Sequence, residues 1–293
     1  MVRCPSVLPR LRQPIALAFM AALLSGCVDL HAVGDYSNTA GLVVSDRSAL
    51  NRWYQSESLL RARRIEGDKC PIGRSGRPSQ AEFDAAFAQA ATVHDTLGRY
   101  YRTLSELATG QPPSPSQALD ASLSSIHRVG VAVDPEDEAA LRATTAVLSR
   151  SLDGLRHLKV RETLIATHES VDRLLLLLQR LAGLYRDEVN GERIQATQFV
   201  RCEIAVGDLA DGYLGRRELQ HVQLDYEREL SAIDRYRHNL ETVRANHLSI
   251  RQAVTGSDPE RVLETFRALS ATRHELETAQ SALHTLKTAP PAP

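Results

Sequence analysis

No proline occurs between Pro135 and Pro259, and few local features restrict a chain more. Proline is the residue that removes a helical hydrogen bond and clashes with the preceding turn. A stretch of this length without it can run as long helices, provided the apolar residues fall on one face. They do. Leu164, Val171, Leu174, Leu178, Leu181 and Tyr185 recur in steps of three, four and seven. Tyr226, Leu230, Ile233, Tyr236, Leu240, Val243, His247, Ile250 and Val254 do the same further on. Such spacing places side chains in a single stripe of a 3.6-residue helix.

The same pattern appears upstream. Phe83, Ala90, Leu97 and Leu104 repeat every seven residues, with Phe87, His94, Tyr101 and Ala108 between them. Ser79 and Glu82 have the spacing of a capping box at the start of that helix, and Gly110 followed by Pro112-Pro113 marks its end. Ser45 or Asp46 can cap an earlier helix running to about Glu66, and a short helix is expected over 116–128. Asp134-Pro135-Glu136 and Asp258-Pro259-Glu260 each combine a capping aspartate, a first-turn proline and a glutamate on the positive end of the helix dipole. Asn190-Gly191 is expected to stop one helix, Gly154 to kink it, and Gly207, Gly212 and Gly215 to break the start of the next. The alternating run Gly41–Ser45 is too short to build a sheet.

The predicted fold is therefore all-α, an elongated antiparallel helical bundle with coiled-coil-like long helices. An unbroken helix of about 55 residues would reach roughly 80 Å. The expected organisation is a cleaved segment over 1–26, a tether over 27–45, one bundle domain over 46–287 and a disordered tail over 288–293.

The segment over 1–26 has the layout of a secretory signal. Arg3, Arg10 and Arg12 precede an apolar core from Ile15 to Leu24, with no acidic residue. That core is too short to cross a bilayer, which takes roughly 20 residues of helix. It ends in Leu24-Ser25-Gly26-Cys27, which resembles the lipobox of bacterial lipoproteins at all four positions. The resemblance implies that the sulfur of Cys27 receives a diacylglyceryl group, that cleavage makes it the first residue, and that its amine is then acylated, commonly with palmitate. Two or more chains anchor a protein stably, at about 0.8 kcal/mol per buried CH₂. In that family an aspartate directly after the cysteine favours the inner membrane. Here Val28 stands there and Asp29 follows, which implies the outer membrane, facing the periplasm. The alternative is an ordinary signal with a chance cysteine.

Loss of the three signal arginines reduces the 35 basic residues to 32 against 36 acidic. That net charge of −4 offers no electrostatic case for binding nucleic acid. With Cys4 removed and Cys27 acylated, Cys70 and Cys202 remain as a pair in an oxidising compartment. A disulfide between them is expected, stabilising by about 2–4 kcal/mol; two buried thiols are the alternative.

Motifs for chemistry are absent from the sequence. His168-Glu169 lacks the second histidine of a zincin, Asp172 occupying that place, and Glu218-x-x-His221 has no second Glu-x-x-His to complete a di-iron set. There is no nucleophile elbow, phosphate loop or dinucleotide fingerprint. No catalytic, metal or cofactor-binding residue is assigned. His94 and His247 lie on apolar stripes and are read as hydrogen-bonded core histidines. Trp53, Tyr54, Tyr100 and Tyr101 are read as packing residues. The run Leu174–Leu178 covers all sides of a helix, so it needs partners either in the bundle or in a groove or oligomer interface.

The expected function is a non-enzymatic, membrane-anchored scaffold or protein-interaction module. A carrier holding an apolar ligand between helices and an envelope enzyme without recognisable motifs are the alternatives. Its expected partners are the membrane through Cys27, an envelope protein and, as an option, a second copy of the chain.

Overall fold

The computed structural model describes residues 30–56, 70, 78–110, 123–148, 156–206 and 212–255, together with 264, 265 and 268. The signal segment, Cys27, Gly154, Gly207, the start at Asp258 and the tail lie outside them. Every regular element among the described residues is a helix. These are α1 (Leu30–Ser45), α2 (48–56), α3 (Gln80–Thr109), α4 (Ser124–Arg128), α5 (Pro135–Leu148), α6 (Arg156–Val206) and α7 (Gly212–Thr255).

Four long helical rods make the bundle. α1 and α2 form one rod, broken at 46–47, and α1 lies antiparallel to α3, with Gly34 beside Thr109 and Ser45 beside Gly98. α6 and α7 form the most extensive pair. They too run antiparallel, fixed by Arg244 on Asp172 and Arg186 on Asp234. α1 runs against α7, where the Tyr36 hydroxyl donates to the Val243 carbonyl at 2.8 Å. α3 meets α6, α5 lies on α6 and α3, and α4 on α3. One end of the bundle, its base, therefore gathers the start of α1, the end of α3, the start of α6 and the end of α7. The opposite end carries the end of α6 and the start of α7.

The seam residues are the core. Phe83, Ala90, Leu97 and Leu104 of α3 are buried, as are Leu164, Val171, Leu174, Leu178, Leu181 and Tyr185 of α6. On α7, Tyr226, Ile233, Leu240, His247 and Val254 are buried at intervals of seven. Each stripe is shared among several neighbours, so the packing is that of a multi-helix bundle. Leu174, Leu175, Leu177 and Leu178 are fully buried within the chain's own core. The leucine run thus takes the first of its two expected fates.

Two boundaries need correction. Residues 30–45, expected as a tether, form α1, with Val33, Tyr36, Ala40, Val43 and Val44 essentially inaccessible. Local propensity is poor there, and tertiary packing overrides it. The glycines bring α1 close to α3: a Cβ on Gly34 would lie 2.8 Å from Thr109 Cγ2, and one on Gly41 would lie 3.3 Å from Tyr101 Cβ. The Ser105 hydroxyl donates to the Gly34 carbonyl at 2.8 Å. The second correction is at Asn190-Gly191, where α6 continues without interruption from Arg156 to Val206. At 1.5 Å per residue this helix is about 75 Å long.

Gly215, expected as a breaker, lies inside α7, which begins at Gly212; other terminators behave as their chemistry requires. Ser79 and Glu82 form the reciprocal capping box, and Gly110 adopts φ +79° at the end of α3. Asp46 accepts from the Ser48 amide at 2.8 Å, opening α2. The start of α5 differs in detail: the Asp134 amide is held by Asp137 Oδ2 at 3.0 Å, while the Asp134 carboxylate reaches Arg173.

Candidate functional site

Polar residues inside the bundle fall into three groups. Nearest the end of α6 and the start of α7, Glu192 sits on the buried stripe between Val189 and Ala196, and its side chain is fully inaccessible. A buried carboxylate is tolerated only when paired and hydrogen-bonded. Arg52 of α2 donates to Glu192 at 2.9 Å and to Glu229 of α7 at 2.7 Å. Glu192 also accepts from the Tyr226 hydroxyl at 2.5 Å and from Ser56. Burial opposes the charge on Arg52, but the bonds to Glu229 and Glu192 outweigh it and raise its pKa. The cluster clamps α2, α6 and α7 together.

A second clamp holds α5. Asp137 is fully buried and accepts from Arg173 at 3.2 Å and Arg180 at 2.7 Å, both on α6. Asp134 and Glu136 take the outer side of Arg173 at 3.1 and 2.7 Å. In both clamps arginine neutralises the buried carboxylate. Their chemistry is cross-bracing, each tying separate helices together.

The third group is aromatic and imidazole. His94 and His247 are both inaccessible, the expected core placement. The Nδ1 of His94 lies 2.8 Å from the Val44 carbonyl, and its ring stacks at 6.3 Å on Tyr236. Desolvation lowers its pKa to about 4, although the Val44 contact acts in the opposite sense. For His247 the expectation of a hydrogen bond fails: neither ring nitrogen has a partner among the described residues. Its neighbours are the rings of Tyr100, Tyr101 and His168. Burial holds Tyr36, Tyr100, Tyr101, Tyr185 and Tyr236 protonated, raising each pKa.

The remaining expected positions are scattered. Glu218 and His221 are exposed on α7, away from these groups. Trp53 is core, 4.4 Å from Phe83 and 5.5 Å from Tyr185, whereas Tyr54 reaches the surface and donates to Asp84 at 2.9 Å. Cys70 and Cys202 are joined in a disulfide with Cα atoms 5.9 Å apart. It ties the segment after α2 to the far part of α6. No cluster of three or more histidine, cysteine or acidic side chains suited to a metal occurs among the described residues.

Outside the core, exposed apolar side chains stand at the end of α6 and the start of α7. Val206, Tyr213 and Leu214 are each about half exposed or more. Ile194 and Leu224 are exposed lower on the same hairpin. No described helix is long and apolar enough to cross a membrane. Sequence reasoning missed Arg52, Glu192, Asp137 and the hairpin end. Glu192 had a usable signal: it continues the spacing Tyr185, Val189, Glu192, Ala196, and a carboxylate on such a stripe demands a buried cation.

The chain matches no protein-family model, no curated protein and no solved structure.

Proposed function

We propose that this chain is a lipid-anchored protein of the bacterial envelope, held by acylated Cys27 in the outer membrane and facing the periplasm, where the bundle acts as a non-enzymatic interaction module. The observation that carries the proposal is the position of Leu24-Ser25-Gly26-Cys27 directly ahead of a folded helix. Cys27 lies three residues before Leu30, the first residue of α1. Three residues span at most about 10 Å. An acylated Cys27 would therefore seat the base of the bundle on the membrane with almost no slack. The disulfide between Cys70 and Cys202 fits an oxidising compartment.

That mounting fixes a direction. From Leu30 to Arg52, and then from its partner Glu192 to Val206, the helical rise sums to about 55 Å. Val206, Tyr213 and Leu214 would stand at that height, at the end remote from the lipid. Burial of the leucine run inside the chain's own core supports an interaction module over a carrier that holds its ligand along that run. The buried arginine–carboxylate pairs that cross-brace the helices support a scaffold.

Mass spectrometry of the mature chain purified from its own cells tests the anchor. The expected product begins at Cys27 and carries a diacylglyceryl thioether with a further acyl group on the amine. A mature chain with an unmodified Cys27 thiol, or one cut elsewhere, would overturn the proposal.

A further inference from the structure

We propose that His168 and His247 form a proton-sensitive latch: neutral, they hold the last turns of α7 against α3 and α6, and acidification releases those turns while the rest of the bundle stays folded. The two imidazoles stack at 5.6 Å with an interplanar angle of 18°. They face each other between α6 and α7 near the base. His247 is sealed on its other sides by α3, with Tyr100 at 5.8 Å and Tyr101 at 6.1 Å, both edge-on. Tyr36 of α1 packs on Tyr101 at 6.3 Å and bonds the α7 backbone at Val243, one turn before His247.

The charges around the pair decide what a proton does. Desolvation first, and then Arg251 of α7, oppose protonation of His168, whereas Asp172 and Glu169 of α6 favour it. Asp172 is already engaged by Arg244 at 2.6 and 3.1 Å, so it is a weak counter-ion for a second cation. The aromatic hydroxyls of α3 and α1 stay protonated and supply no negative charge. His168 is the more accessible member, with part of its surface in contact with solvent. A proton entering there places a cation against a buried neutral ring whose Nδ1 and Nε2 have no partner among the described residues. The charge is relieved when α7 swings away and both rings reach water.

His94 is the internal contrast. It is equally buried, but its Nδ1 is tied to the Val44 carbonyl and no second histidine faces it. Geometry alone thus separates a ring built into a backbone contact from a stacked pair with free nitrogens. The lowered pKa of His247, about 3 from desolvation and then His168, agrees with a closed state that excludes its proton.

Hydrogen exchange of the full mature chain, corrected for the intrinsic pH dependence, tests the latch. Between pH 7 and pH 5 the open population of residues 243–255 should rise about twentyfold, because the opened His247 regains an ordinary affinity for protons. That of residues 174–185 of α6, which hold no histidine, should rise no more than global unfolding does. His247→Phe should abolish the rise, and His94→Phe should leave it intact. Exchange that is flat with pH, that rises equally in all helices, or that still rises in His247→Phe would overturn the latch. Imidazole NMR on the wild-type chain gives a second readout free of any variant's folding: His168 should titrate first, with His247 neutral to pH 5. The reverse order would also overturn it.

Discussion

A few buried side chains carry much of what makes this bundle specific. Arg52 is the clearest, because it serves two carboxylates on two helices, Glu192 and Glu229. Replacing it by Leu leaves the buried Glu192 carboxyl without its cation, at a cost of about 3–5 kcal/mol. Glu192→Gln should cost distinctly less, since Arg52 keeps Glu229. Denaturant melts of the two single variants and the double variant check this, and the double variant should lose less than the sum. Beside His247, His94 contributes to the acid response. Its pKa is lowered in the folded state, so the unfolded chain binds the extra proton. Its neutral form is fully accommodated above pH 6.5, and stability falls as pH drops from there towards 4, by about 3 kcal/mol. His94→Phe should flatten that part of a stability–pH profile measured by urea unfolding. These residues were only half legible in the sequence. The burial of His94 and His247 follows from their place on the stripes, but the partner of each depends on which helices meet, and spacing along one helix does not encode that.

At the scale of the element, α1 is the instructive case. Glycine, serine, asparagine and aspartate between Gly34 and Gly41 lower intrinsic helix propensity, and such a segment reads naturally as a tether. The same small residues are what permit backbone contact with α3. Two glycines separate the effects. A Cβ at Gly98 would meet Ser45 Cβ at 2.9 Å, an atom fixed to the backbone, whereas at Gly34 the nearest atom is the methyl of the exposed Thr109. Alanine gains about 1 kcal/mol of helix propensity at either site. We expect Gly34→Ala to be near neutral and Gly98→Ala to destabilise by about 1–2 kcal/mol net of that gain, as thermal unfolding would report. By contrast α3, α6 and α7 were legible because their apolar stripes are strong. Asn190-Gly191 misled because a glycine flanked by Val189, Glu192 and Ala196 on a packed stripe is held helical by its neighbours, whatever its own preference.

At the scale of the whole molecule, the class of fold followed from the absence of strand signals and the long stripes, and the disulfide followed from counting cysteines. The order in which four rods surround one core was not legible, because stripes of similar width specify burial without naming the neighbour. What emerges is a polarity: a base three residues from Cys27 and, about 55 Å of helical rise away, the end of α6 and the start of α7, where Val206, Tyr213 and Leu214 are exposed. The central claim is that the lipid holds this end at a fixed place for a protein partner. The most direct measurement is photo-crosslinking in intact cells from a probe at Tyr213, with a second probe at Arg102 near the base and Cys27→Ala as the displaced chain. The account predicts one protein adduct from Tyr213 that is absent from Arg102 and lost when Cys27 is replaced. A Tyr213 probe that yields no protein adduct, or yields the same adduct with and without Cys27, would contradict it.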